Sequence, residues 1–501
     1  MRQPAGGRRR LTLASLASLP LELAPPVDPR SLRARIVHLG LGAFHRAHQA
    51  LFTEDAVTAT GEDWGICGVS PRSGHVVEQL APQDGLYTVA TRAGRQESLR
   101  VVGVVRELLW ARADPDRVTA RIAAPATTLV TLTVTEKGYR HDPASNRLRL
   151  EDREIAADLA GEPPRTVIGQ LVAGLERRRR DTGEPLTILC CDNLPSNGRV
   201  LEGLVHEFVA RREDADELAG WIDRRVRFPS TMVDRIVPAS TRGDLLRVAA
   251  RLGLIDEGVV VTEPFRQWVI EDDFVAPRPA WEKAGATLTA DVGPYERIKL
   301  RMLNASHSTI AYLGALADCE LVADAMREDR PFRALAEALM AADVAPTLQP
   351  PDGFDLDDYR RQLLERFANR ALRHRTIQVA MDGSQKLPQR LLGTIRDRLA
   401  QGAEPAVAAL GVAAWMRFVS ARRSDGGREL EVDDPLADRI AQTVGGHEDP
   451  ARVVDALLSL REVFGEQLAA DQLFRALLVE HLGALRRDGA ARTAARLSAG
   501  Y

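Results

Sequence analysis

The stretch Arg35-Ile-Val-His-Leu-Gly40-Leu-Gly42-Ala-Phe44-His45-Arg-Ala-His48 decides the fold class. Its apolar start, 35–39, reads as a strand. Two glycines follow, and the pattern beyond them reads as a helix to about Ala59. A strand that turns on glycine into a helix is where a dinucleotide pyrophosphate meets bare backbone N–H groups and a helix N-terminus. The full fingerprint has a third glycine, whose place His45 takes here, and a plain tight turn uses the same two glycines. Working outward, 64–69 reads as a second strand. The apolar runs 101–105, 127–135 and 186–191 alternate with helical stretches at 116–124, 166–180 and 198–211. Strand–helix alternation predicts a parallel sheet with helices on both faces.

From about Gly293 amphipathic helical segments take over through Leu497, broken by loops at 349–355, 382–388 and 424–435. The expected fold is an α/β Rossmann-like N-terminal domain followed by a mostly α-helical C-terminal domain. The division is 1–30 for a tail and docking helix, 31–291 for the dinucleotide-binding domain, and 292–501 for a helical substrate and catalytic domain. A chain of 501 residues is too long for one core, in keeping with that division. In the tail, Arg2, Arg8, Arg9 and Arg10 precede Leu11, Leu13, Leu16 and Leu19 at helical spacing, which favours a short docking helix over an export signal.

A net charge of -3, from 67 basic and 70 acidic residues, leaves no basic footprint for nucleic acid or an anionic membrane. No apolar run approaches the roughly 20 residues of a membrane span. Cys67, Cys190, Cys191 and Cys319 are too few and too awkwardly spaced for a disulfide framework or a zinc site. Buried free thiols in a reducing compartment, the cytoplasm, account for them. A monomer acting on a small molecule is expected.

The helical half opens with Glu296-Arg-Ile-Lys299-Leu-Arg-Met-Leu-Asn304-Ala-Ser-His307. On an α-helix at roughly 100° per residue, Lys299, Asn304 and His307 fall at about 0°, 140° and 80°, within one arc. Ile298, Leu300, Met302 and Leu303 supply the bulk to bury it. Burial disfavours the charge on a lysine and so makes it a base, while an amide and an imidazole beside it can hold a carbonyl or alkoxide oxygen. That equipment moves a proton on and off a secondary alcohol. A solvated face with Glu296 and Lys299 as an i,i+3 pair has the same spacing, so a second signal is needed.

After the second strand, an acidic residue would select NAD through its ribose 2′-hydroxyl. The strand ends Gly68-Val-Ser70-Pro-Arg72, with no acid and with an arginine in reach. NADP therefore stays open beside NAD, although a solvated turn arginine has the same sequence.

Five motifs occur in order: Gly40-Leu-Gly-Ala-Phe-His-Arg-Ala-His48, Thr135-Glu-Lys-Gly-Tyr139, Cys191-Asp-Asn-Leu-Pro-Ser-Asn-Gly198, Phe228-Pro-Ser-Thr-Met-Val-Asp-Arg235, and Lys299-x4-Asn304-x2-His307. Together they resemble the polyol-specific long-chain dehydrogenases, the mannitol dehydrogenase family, from about Leu11 to the C-terminal helices. The resemblance implies NAD as working cofactor, held around Gly40, Gly42, Phe44, Ser70 and Arg72, and a reaction without a metal. It implies Lys299 as catalytic base, Asn193 and Asn304 as the amide pair on the substrate oxygen, and His307 as the residue that positions hydroxyls. Glu296 matches a carboxylate that passes the proton to solvent, and Asp234 lies in the matching substrate segment. Without the resemblance, Asn193 and Asn197 read as turn formers and Asp234 as a partner of Arg235.

The stretches Arg366-Phe-Ala-Asn-Arg-Ala-Leu-Arg373-His374-Arg375-Thr376 and Ala380-Met-Asp-Gly-Ser-Gln-Lys386-Leu-Pro-Gln-Arg390 most resemble the fructuronate reductase (D-mannonate oxidoreductase) branch. In the mannitol branch an arginine stands eight residues before the lysine that matches Lys386; here Gln378 does. A uronate carries a carboxylate, which a guanidinium binds bidentately. Arg373 or Arg375 is expected to take it, with His374 and Lys386 completing the substrate set. The sequence thus reads as an NAD(P)-dependent secondary-alcohol dehydrogenase interconverting D-fructuronate and D-mannonate, with D-mannitol and D-fructose, or a related polyol, as the alternative. A non-catalytic NAD-binding sensor is the rival from another class, disfavoured because Glu296, Lys299, Asn304 and His307 all remain.

Overall fold

The structure, a computed structural model, describes residues 9–142 and 145–501; Arg2 and Arg8 of the basic tail lie outside them. The chain forms two compact units, Met1–Val292 and Gly293–Tyr501.

In the first unit six strands make one sheet: β1 (Arg33–Leu39), β2 (Trp64–Ser70), β3 (Val105–Trp110), β4 (Leu129–Leu132), β5 (Leu186–Cys190) and β6 (Val226–Arg227). Every pairing is parallel, in the order β6-β5-β4-β1-β2-β3. This is the order of doubly wound dinucleotide-binding sheets, whose ligand crevice opens where the winding reverses, here between β1 and β4. The register aligns the strand ends: Leu39 pairs with Val69 and with Leu132, and Leu132 with Cys190. Gly40, Ser70, Thr133 and Cys191 therefore line up along one edge of the sheet, Ser70 as the last residue of β2. β2 is buried at every residue, as a strand covered on both faces must be. One face packs under Pro115–Ala123, Val167–Asp181 and Asn197–Val209 through Ile122, Leu171 and Val205. The other packs against Phe52, Trp268 and Trp281.

Three expectations need correction here. The run 101–105 is not one strand: Val101 and Val102 end Gln96–Val102, which belongs to a separate three-stranded sheet, and Val105 begins β3. The break is Gly103, where a Cβ would sit 2.4 Å from Pro29 Cγ and whose N–H donates to Glu54 Oε1 at 2.7 Å. Burial continues across the break, so hydropathy alone hides it. Of 127–135, only Leu129–Leu132 pairs in the sheet. The docking helix is absent too: 11–19 holds a single 3-10 turn, Leu16–Ser18. The segment docks through buried Leu11, whose N–H donates to Ile255 O at 2.9 Å, with Leu13, Leu16 and Leu19 against the same cluster.

In the second unit Gly293–Ile298 runs through a π-helical segment, Lys299–Asn304, into Ala305–Leu316. Ala305–Leu316 is buried at all positions, and Ala406–Ala421 at all but Arg417, Ser420 and Ala421. These two central helices pack on each other and are buried on nearly every side, rather than on one face as an amphipathic pattern predicts. Two further π segments, Leu339–Val344 and Pro388–Leu392, pack against the first. The loop expected at 382–388 is instead a helix, Gly383–Leu387, which runs into the π segment at Pro388. Pro388 sits at the junction of the two, where the hydrogen-bond register changes, so its missing N–H does not end the helical run. Among the described residues no helix is long and apolar enough to cross a membrane.

Candidate active site

In the first unit the turn after β1 is fixed from below. Gly40 takes φ 105°, and a Cβ there would lie 2.0 Å from Thr133 O. Only glycine fits. Gly40 and Leu41 donate their N–H groups to Val69 O at 2.9 and 3.1 Å. Gly42 differs: a Cβ on it would meet only Gly40 O, at 3.7 Å. Its bare backbone is not required by the protein's own packing. It lines a cleft of roughly 270 Å³ together with Gly40, Ser70, Arg72, Thr133 and Thr135. A backbone left open onto a cleft, just before the Ala43–Ala47 helix, suits a pyrophosphate. Phe44 is half-buried and stacks on His48 at 5.0 Å, and it does not line that cleft. Arg72 is exposed, and its carbonyl accepts from Trp110 Nε1; the Ser70 hydroxyl donates to Ser73 O.

His45 explains the missing third glycine. That glycine normally lets helix and strand approach closely. Here the flat His45 ring stacks on His38 with centroids 3.4 Å apart. His38 bonds Thr131 Oγ1 at 2.7 Å and Thr133 Oγ1 at 2.8 Å. Burial pushes the His38 pKa down to about 3 and that of His45 well below the usual imidazole value, so both rings are neutral near pH 7.

Three of the sequence motifs are tied together at the ends of β4 and β5. Asp192 accepts from the N–H groups of Val134 and Thr135, both at 2.9 Å, and from Tyr139 Oη at 2.6 Å. Burial raises its pKa to about 6 against the downward pull of those bonds. Thr135 is thereby held at φ 68°, an outlier for a β-branched residue and a form of stored strain that clusters at functional sites. Asn197 does more than shape a turn: Nδ2 donates to Asp192 O and Thr231 O, and Oδ1 accepts from Thr231 N. Asn193 is thus held between two residues of this network. Asp234 ends the Thr231–Asp234 strand and is buried. The guanidinium of Arg235 donates to Glu263 O at 2.7 Å.

In the second unit, Lys299 is 7% exposed and opens the π segment. The Ala305 N–H donates to Leu300 O, an i→i−5 bond. Residues five apart then lie nearly above one another, where α geometry would splay them by about 140°. Lys299 and Asn304 are five apart, so the single regular helix expected over 296–307 is corrected to one that carries a π insertion between these two residues. Glu296 is half-buried one turn earlier. His307 is buried on Ala305–Leu316, stacked on Phe367 at 5.0 Å and edge-on to His374 at 5.0 Å. Burial, and then the charges of Arg390, Arg366 and Lys386 besides His374, hold its pKa well below the usual value. Its Nε2 is buried and has no hydrogen-bond partner among the described residues. Burial and Lys386 likewise lower His374, to about 4.

His374 and Lys386 therefore stand with His307, whereas Arg373 and Arg375 are exposed. Arg373 is exposed at φ 50°; Arg375 is exposed and lies 4.0 Å from Glu320. The cations around His307 are Arg366, Lys386 and Arg390. Both arginines stood inside quoted motifs, but nothing in their spacing marked them. Asp192, next to Asn193, carries no sequence signal either: its three donors come from residues more than fifty positions away. Among the described residues no group of three or more His, Cys, Asp or Glu side chains is placed to hold a metal ion.

Two family models cover the chain: the mannitol dehydrogenase Rossmann domain matches residues 34–283, and the mannitol dehydrogenase C-terminal domain matches 291–486. The uncharacterized oxidoreductase YeiQ of Escherichia coli (strain K12) is 48% identical over 461 residues, 91% of this chain and 93% of that protein. The D-mannonate oxidoreductase of the same organism is 45% identical over 449 residues, 89% of this chain and 91% of that protein. Pseudomonas fluorescens mannitol 2-dehydrogenase, solved as a ternary complex with NAD and D-mannitol, superposes with a TM-score of 0.88 at 37% identity, over 97% of this chain and 99% of that one. With both units matched and relatives aligned over nine-tenths of its length, the chain belongs to the mannitol dehydrogenase family, oxidoreductases that act on secondary alcohols.

Proposed function

We propose that the chain is an NAD-dependent dehydrogenase interconverting D-fructuronate and D-mannonate. The observation that carries the chemistry is the burial of Lys299 at the head of the π segment, with Asn304 and His307 on the same helical run. The 45% identity to D-mannonate oxidoreductase supports the substrate.

Gly40, Gly42 and the end of β2 would hold the dinucleotide, which supplies the hydride acceptor when bound. The remaining work falls to side chains. In oxidation, neutral Lys299 takes the hydroxyl proton from the carbinol; in reduction, protonated Lys299 gives one to the nascent alkoxide. Asn193 and Asn304 hold the reacting oxygen by amide N–H donation. Glu296 exchanges the proton with solvent. His307, neutral by burial, offers Nε2 to a substrate hydroxyl, and Asp234, His374 and Lys386 bind the rest of the chain of hydroxyls. No acid follows β2, so NADP is accepted as well, more weakly than NAD.

A second reading, D-mannitol and D-fructose, is favoured by the likeness to mannitol 2-dehydrogenase. The test is Lys299→Ala, assayed with fructuronate, fructose, mannonate and mannitol against both cofactors. Turnover should drop by roughly 10²–10⁴-fold while NADH fluorescence titration gives an unchanged Kd. Activity within about threefold of the parent enzyme removes Lys299 from the role; better use of fructose than of fructuronate moves the enzyme to the second reading.

A further inference from the structure

We propose that Arg390 is the residue that recognises the substrate carboxylate, in the place Arg373 and Arg375 were expected to fill. The inference rests on the reading that the substrate is a sugar acid, and it names the group that distinguishes that acid from a polyol or a neutral ketose.

Arg390 lies in the middle of the π segment Pro388–Leu392, which packs against both the Lys299–Asn304 segment and the Ala305–Leu316 helix. Its Nη1 donates to Ser308 Oγ at 2.8 Å. Ser308 is 1% exposed and directly follows His307, so this bond fixes the guanidinium plane on the helix that carries the hydroxyl-positioning imidazole. The head group is half-buried, which strengthens any charge-assisted bond it makes. Burial and the surrounding cations keep His307 neutral, and its Nε2, buried and without a hydrogen-bond partner among the described residues, is open to a polar group from outside the protein. Arg390 is near enough for its charge to lower the His307 pKa, so a hydroxyl for the imidazole and an anion for the guanidinium describe two groups of one sugar acid.

The other cations fit this task less well. Lys386 Nζ donates to Met381 O at 2.5 Å and contacts Val379 O at 3.5 Å, an anchoring role, and an ammonium cannot form the bidentate fork. Arg375 is exposed beside Glu320. Arg366 is buried in the last turn of Leu356–Phe367, where a cation complements the helix end.

The experiment compares Arg390→Leu, Arg390→Lys and Arg375→Leu with the parent enzyme, using D-fructuronate and D-fructose under identical conditions, with thermal melts to confirm folding. Arg390→Leu should lower kcat/KM for fructuronate by roughly ten- to a hundredfold, mostly through KM, while fructose reduction falls by no more than about threefold. Arg390→Lys should recover part of the loss, and Arg375→Leu should keep the preference for the acid. Equal losses on both ketoses, or an intact acid preference in Arg390→Leu, overturn the assignment while leaving the substrate reading in place. A parent enzyme with no preference for fructuronate overturns the substrate reading, and the Arg390 assignment falls with it.

Discussion

At Gly40 the requirement for glycine has two independent physical causes, a positive φ and a Cβ that would collide with Thr133 O. Gly40→Ala should therefore abolish dinucleotide binding as well as destabilise the fold. The conformational part alone costs about 1 kcal/mol, and the 2.0 Å approach forces β4 and the turn apart. NADH titration and a melt of the apo-protein check this; a variant that binds NADH within threefold of the parent would show that the turn does not carry the cofactor. Single residues of this kind are legible in sequence because their chemistry is rare in its setting: glycine straight after a strand, or lysine, asparagine and histidine among apolar neighbours. Arg390 and Asp192 are not. An arginine in a helical pattern looks the same whether it meets solvent or a buried serine, and an aspartate after a strand looks the same whether it turns the chain or gathers three donors. What distinguishes them is long-range, and pattern reading sees only neighbours along the chain.

Elements repeat the lesson on a larger length scale. The parallel sheet is legible because β1, β2, β4 and β5 lie in apolar runs separated by helical stretches, whereas β6, two residues ending in an arginine, leaves no such mark. The break at Gly103 is not, since burial continues from one sheet into the next. The helix at 296–307 is legible as a helix but not as one with a π insertion, because hydropathy constrains which face is buried and not which carbonyl each N–H finds. That insertion makes a testable claim. Inserting an alanine after Leu300 should rotate Asn304 and His307 by about 100° relative to Lys299, because the π segment already carries one extra residue and a second shifts the face. Because π insertions cost little helix content, circular dichroism should stay near that of the parent, and NADH binding at the Gly40 turn should survive. Turnover should fall by more than about a hundredfold, since positioning errors of this size forfeit most of the gain from orientation. An insertion variant that keeps turnover within tenfold of the parent would make the facing of Lys299 and Asn304 incidental.

For the molecule as a whole, the change from strand–helix alternation to helix upon helix is legible in composition, and so is the family, because five motifs in fixed order leave little room for chance. What composition does not reveal is how many titratable groups the fold buries. His38, His45, His307 and His374 all have lowered pKa values, with His38 near 3 and His374 near 4. The unfolded chain takes up these protons near pH 6.5, while the folded chain does so only at lower pH. Each therefore contributes stability that is complete above about pH 6.5 and is lost as pH falls toward its folded value. Asp192 and Asp343, raised to about 6, act in the opposite sense, since the folded state binds their protons first as pH falls. The net slope mixes both, so a difference measurement isolates one group. His38→Asn removes one imidazole titration together with its bonds to Thr131 and Thr133. At pH 7.5 the variant should be less stable than the parent. Between pH 6.5 and about 4 the deficit should shrink by as much as roughly 1.4 kcal/mol per pH unit, because only the parent still pays for keeping that ring neutral. Urea unfolding of both proteins across this range measures the gap. A gap that stays constant with pH would mean that His38 keeps an ordinary pKa in the folded state and takes up its proton there as readily as in the unfolded chain.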